Sequence, residues 1–175
     1  LRAAARARER AGPMSGASWN AGAVDEPGLC AIATRLATAA GEGGVIYLEG
    51  DLGAGKTTFA RALLTSLGVG ERVKSPTYSL IETYRAGALD AHHLDLYRIA
   101  DAGELEWLGL ADLWTPRALV LVEWPERGTG SLPPADLVVH FRHAGDRREV
   151  VAEPRSALGE RLVGAIAVVP AKAGT

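Results

Sequence analysis

The sequence predicts a three-layer α/β domain with a mixed, mainly parallel central sheet and a C-terminal β-hairpin. Three observations carry this. A glycine-rich turn, Gly50 to Thr57, lies between a short apolar run and a helical pattern. Ala118 to Glu123 (ALVLVE) is the most apolar strand segment of the chain, as a central strand covered on both faces requires. Leu137 to Arg142 and Arg148 to Ala152 flank Ala144-Gly145-Asp146, a hairpin signal. The turn matches GxxxxGK[ST], so the expected fold is of the P-loop NTPase type.

The elements follow in chain order. Residues 1–13 carry four arginines and one acid, and the only methionine is Met14. Residues 1–17 are expected to be a non-native or disordered extension, 18–168 a single domain, and 169–175 a flexible tail. Asp25 caps a helix with Pro27 in its first turn, and Leu29, Ile32, Ala33, Leu36 and Ala40 recur at helical spacing. Val45 to Leu48 reads as a buried strand. Lys56 to Leu67 returns to a helical period through Phe59, Ala60, Leu63 and Leu64, and Gly68 stops it. Alternation from Tyr78 to Tyr84 predicts a strand, Gly87 a turn, and Leu89 to Leu96 the return strand. Asp101 caps a short helix through Glu104, Leu105 and Leu108. Leu158, Leu162, Val163 and Ile166 suit a last amphipathic helix.

With 175 residues, 47% apolar and 23% charged, the chain can build one core of ordinary size. A net charge of −2 is not the bulk footprint of a nucleic-acid binder. Cys30 stands alone, which excludes an intramolecular disulfide framework and a cysteine-rich zinc site. No apolar run approaches the roughly 18 residues needed to span a bilayer, and no signal-peptide core precedes a cleavage site. The expectation is a cytoplasmic protein with no membrane partner.

Chemistry concentrates in the glycine-rich turn. A triphosphate needs a ring of backbone N–H groups, and glycines let the backbone curl inward at the start of a helix whose dipole favours anions. Gly50-Asp51-Leu52-Gly53-Ala54-Gly55-Lys56-Thr57, with Thr58 after it, supplies this. In that pattern Lys56 reaches the β- and γ-phosphates and the Thr57 hydroxyl holds Mg²⁺. Asn20 is the only asparagine and lies upstream, so the Asn-Lys-x-Asp guanine reader is excluded. The chain has no glutamine, so neither a Ras-like catalytic glutamine nor a transporter-type glutamine loop exists.

Three acids or hydroxyls lie where such a site needs them. Glu123 ends the apolar strand, where ligands bind in α/β sheets. It either holds Mg²⁺, directly or through water, or is a surface acid at a strand end. Asp95 either holds a Mg²⁺-bound or attacking water, pairs with Arg98 or caps the following helix. Thr77 of Ser75-Pro76-Thr77 either approaches the γ-phosphate or belongs to a simple turn. His92 and His93 are neighbours on a strand and face opposite ways.

GDLGAGKTTFAR (50–61), KSPTYSLIETY (74–84), HLDLYR (93–98), ELEWLGL (104–110) and LVEWPERGTGSLPPADL (121–137) resemble, in order and spacing, the bacterial TsaE (YjeE) family. The resemblance covers about residues 24–165. It implies a small Mg²⁺-dependent ATPase of tRNA threonylcarbamoyladenosine biosynthesis. Such a protein is weak alone, is stimulated by the TsaD–TsaB complex, and meets tRNA only through it. It places Lys56 and Thr57 in the phosphate loop, Glu123 at Mg²⁺, Asp95 as the essential acid of HxDLYR and Thr77 in a switch-like segment. It also nominates Glu26 near the nucleotide base and Arg148, beside Arg147, as an arginine reaching the nucleotide. The rival from another class is a P-loop small-molecule kinase, with Arg142, Arg147 and Arg148 as its only late lid arginines. A third reading is a nucleotide-dependent switch with negligible hydrolysis.

Overall fold

The computed structural model describes residues 16–69 and 72–168. The expectations for residues 1–13, for Met14 and for the 169–175 tail lie outside these. Among the described residues seven strands form one sheet: β1 (Trp19–Val24), β2 (Gly44–Gly50), β3 (Ile81–Ala86), β4 (Leu89–Asp95), β5 (Ala118–Glu123), β6 (Leu137–Ala144) and β7 (Arg147–Pro154). Their order is β1-β7-β6-β2-β5-β4-β3. The centre is parallel, β2 pairing with both β5 and β6 and β5 with β4. The edges are antiparallel, through β1–β7, β6–β7 and β3–β4. β5 is buried at every residue, as its unbroken apolar run requires.

Three α-helices cover one face: α1 (Glu26–Ala40), α2 (Lys56–Ser66) and α3 (Ala157–Ala167). The Asp25 side chain accepts from Gly28 N at 2.9 Å and starts α1, whose buried stripe runs Leu29, Ile32, Ala33, Leu36, Ala37, Ala40. Ser156 caps α3 through Gly159 N. These stripes close over Ile46, Leu48, Leu119, Leu121, Val139 and Phe141. The opposite face, with Val45, Leu94, Val120 and Val122, is covered by 3₁₀ segments rather than α-helices. Ala102–Leu108 is the longest of these; Leu105 plugs the core and Trp107 stands out in solvent.

Four details differ from the sequence reading. β1 was not expected; it is an edge strand with a register shift between Asn20 and Ala23, and its residues carry little apolar alternation. The strand expected from Tyr78 begins at Ile81, because the Leu80 N–H bonds back to Pro76 O at 2.8 Å and Leu80 takes φ 68°. The helix after Asp101 winds as 3₁₀, with Gly103 inside it and Gly109 at its end. Ala144 belongs to β6, which leaves Gly145-Asp146 as the hairpin turn.

Candidate functional site

The phosphate-loop motif leaves the end of β2 and opens α2, over the carboxyl ends of the parallel strands. Two glycines are required here. A Cβ on Gly50 (φ 153°) would lie 2.4 Å from Phe141 O. Gly55 (φ 108°) is the N-cap of α2, and a Cβ there would press on Leu29. The neighbouring hairpin holds the loop from outside. His143 Nε2 lies 3.2 Å from Leu52 O, and Arg148 Nη2 donates to Gly53 O at 3.2 Å.

Across the loop lies a cleft of about 270 Å³. Its floor is Lys56, Thr57 and Glu123; its far wall is Thr77, Asp95, Tyr97, Arg98 and Trp124. Lys56 is 4% exposed. Its Nζ donates to Gly50 O and to Asp51 O and lies 4.1 Å from the centroid of the Trp124 ring. Burial pulls its pKa below the ordinary value, against the opposing pull of Glu123, Glu126, Asp95 and Asp51. Thr57 Oγ1 donates to Glu123 at 3.0 and 2.8 Å. Glu123 is 2% exposed and also meets His93 Nε2 at 2.7 Å.

Asp95 pairs in register with Glu123 across β4 and β5, so both acids stand on the helix-covered face. Asp95 Oδ1 accepts from Tyr97 N at 3.0 Å, and Oδ2 accepts from Thr77 Oγ1 at a longer 3.4 Å. Burial pushes its carboxyl above the ordinary range. The Tyr97 N–H pulls the other way, Glu123 adds to the rise, and the Thr77 hydrogen bond opposes it. Asp95 therefore caps the turn after β4 and also reaches Thr77; it makes no ion pair with Arg98. Arg98 instead lies 4.6 Å from the centroid of the exposed Tyr78 ring.

Lys56, Thr57, Thr77, Asp95 and Glu123 thus come together from four segments. Glu26 does not join them. It is exposed, in a shallower groove of about 410 Å³ with Cys30, Thr34, Arg61 and Ser66, and the two clefts share only Thr58. Arg148 touches the loop backbone without lining the cleft, whereas Arg147 is exposed. Sequence reasoning passed over Tyr97, Arg98 and Trp124 as site residues. Their signal was position: Trp124 directly follows β5, and Tyr97 and Arg98 lie just past the end of β4, beyond the carboxyl ends of parallel strands where ligands bind.

Hydroxyl and carboxylate oxygens within 3.0 Å, at Thr57 and Glu123, are the hard donors that suit Mg²⁺. Among the described residues no cluster of three or more His, Cys, Asp or Glu forms a metal cage. Mg²⁺ does not need one, since it is usually held by one or two protein oxygens together with phosphates and water.

The family described as threonylcarbamoyl adenosine biosynthesis protein TsaE matches residues 24–150. The tRNA threonylcarbamoyladenosine biosynthesis protein TsaE of Haemophilus influenzae is 42% identical over 121 residues, 69% of this chain and 77% of that protein. Its counterpart in Bacillus subtilis is also 42% identical over 121 residues, 69% of this chain and 75% of that protein. The crystal structure of Bacillus subtilis YdiB superposes with a TM-score of 0.68 at 32% identity, covering 85% of this chain and 92% of that one. The shared architecture is the P-loop NTPase fold. Among the described residues no helix is long and apolar enough to cross a membrane.

Proposed function

This chain belongs to the TsaE family of tRNA threonylcarbamoyladenosine biosynthesis, and from that premise we propose that it is the Mg²⁺-dependent ATPase of that machinery. It acts in the cytoplasm on a TsaD–TsaB complex, hydrolyses ATP slowly alone and faster when engaged, and meets tRNA only through its partners.

The observation that carries this reading is the Thr57–Glu123 contact on the floor of the cleft, opposite the Thr77–Asp95 pair. In this account the N–H groups of residues 50–58 and the Lys56 ammonium bind the phosphates. For that, Nζ leaves the carbonyls of Gly50 and Asp51. Thr57 and Glu123 hold the cation, which supplies charge neutralisation to the transferring phosphoryl group. Asp95, with Thr77 beside it, orients the attacking water and takes its proton, the role a glutamine cannot fill in this chain. The raised pKa of Asp95 makes its ionised form a better proton acceptor than an ordinary aspartate. Arg148 adds positive charge at the outer rim of the loop, and Glu26 is the candidate contact for the base from the neighbouring groove.

The test is an ATP titration with Mg²⁺ and with chelator, for wild type, Thr57→Val and Glu123→Gln. The wild type gains affinity from Mg²⁺, and each variant loses most of that gain while keeping its metal-free affinity. A variant with the full wild-type gain removes that residue from the metal site.

A further inference from the structure

We propose that His93 is a positioning residue for Glu123: its Nε2–H fixes the carboxylate against Thr57 and so sets how strongly a divalent cation is taken up with the nucleotide. This rests on the reading of the site just given.

His93 lies on β4 and is 0% exposed. In register it faces Leu121 on β5, two residues before Glu123, so His93 and Glu123 are diagonal neighbours on one face of the sheet. Nε2 lies 2.7 Å from Glu123 Oε1, in the range of a charge-assisted bond. Thr57 Oγ1 contacts both carboxylate oxygens. The carboxylate is therefore held from two directions.

The other ring nitrogen decides the tautomer. Nδ1 is buried and has no hydrogen-bond partner among the described residues. A proton there would meet no acceptor, so the hydrogen sits on Nε2 and is donated to Glu123. An aliphatic residue would fill this place in the strand without an orphaned polar atom, as Ala91 does on the same face of β4. His92, on the opposite face, has its own partner in Thr83 Oγ1 at 3.0 Å and takes no part. What the imidazole at residue 93 adds beyond volume is one donor aimed at one carboxylate.

The experiment uses the full chain with His93→Leu, which keeps bulk and removes the donor, and His93→Gln, whose amide nitrogen reaches toward the place of Nε2. ATP affinity is measured across a Mg²⁺ series and in chelator, with Tm alongside. His93→Leu should cut the Mg²⁺-dependent gain about tenfold, the scale of one charge-assisted bond, with chelator affinity within about twofold of wild type. His93→Gln should recover most of the gain. A full gain in His93→Leu, or equal losses in both variants, overturns the proposal. Should His93→Leu not fold, ¹⁵N NMR of the wild-type imidazole stands in: hydrogen on Nε2 and a bare Nδ1 support the proposal, and hydrogen on Nδ1 overturns it. A wild type that gains nothing from Mg²⁺ defeats the ATPase reading and this proposal together. Failure of the His93 step alone leaves the wild-type gain intact.

Discussion

The two walls of the cleft are built differently. The phosphate-loop wall grows out of the central strand β2 and into α2, is packed on Phe141 and Leu29, and is tied to the hairpin by His143 and Arg148. The facing wall hangs on a turn. Pro76 to Ser79 precede an edge strand, Leu80 sits at φ 68°, Tyr78 is 87% exposed, and the Thr77–Asp95 contact is 3.4 Å long. One wall is set by the core; on the other, Asp95 is held at the end of β4, while Thr77 and Tyr78 rest on a few polar contacts. In the proposed function the rigid side would grip the nucleotide and the looser side would carry the chemistry once a partner orders it.

Substitutions on each wall should separate these roles. The largest effect falls on the looser wall: Asp95→Asn should lower partner-stimulated hydrolysis by about 10²-fold or more while ATP affinity stays within a few-fold. Phosphate-release assays beside a binding titration read both, and a matched loss of affinity would put Asp95 in binding instead. On the rigid wall, Lys56→Ala should weaken ATP binding at least about tenfold, or about 1.4 kcal/mol, in calorimetry. Unchanged affinity would erase the contrast.

Stability should divide the walls too. Gly50→Ala drives a Cβ toward the Phe141 carbonyl and should cost about 1–3 kcal/mol, at about 2–4 °C of Tm for each. Tm unchanged by Gly50→Ala would mean the loop wall is as yielding as the other. Asp95→Asn has the opposite sign. Burial raises the Asp95 carboxyl above its ordinary 3.8, so the wild type loses stability as pH climbs through the folded-state value. The nucleotide-free Asn variant should melt higher at neutral pH, and the gap should close below pH 3.8. A constant gap across that window would assign the effect to something other than the charge. Tyr78→Ser should shift Tm by no more than about 2 °C, since the ring is exposed with Arg98 over it.

The same contrast governs what the sequence made legible. α1 and α2 carry their own helical periodicity, α1 its Asp25 cap, and β5 its unbroken apolar run, so local rules suffice for them. The loop motif is contiguous, and with it Lys56 and Thr57. β1 is held mainly by pairing with β7; Asn20 and Gly22 give it no strand signature of its own. The alternation across Tyr78 to Tyr84 could not reveal that Leu80 N–H bonds to Pro76 O. Asp101 and Glu104 announce a capped turn through their capping box, but not its 3₁₀ winding. In the site, Asp95 meets Thr77 only because β3 folds back on β4, and His93 meets Glu123 only because β4 lies beside β5. The left-handed φ of 58° at Trp124, which accompanies its place beside Lys56, is likewise a property of the assembled cleft.

The central claim is that a preformed binding wall waits for a partner to complete the catalytic one. The most direct test is steady-state phosphate release by the wild-type chain at saturating Mg²⁺–ATP, with and without TsaD–TsaB. Slow release alone and a clear rise on adding the complex are the predicted result. Fast release by the lone chain, unchanged by the complex, would contradict it.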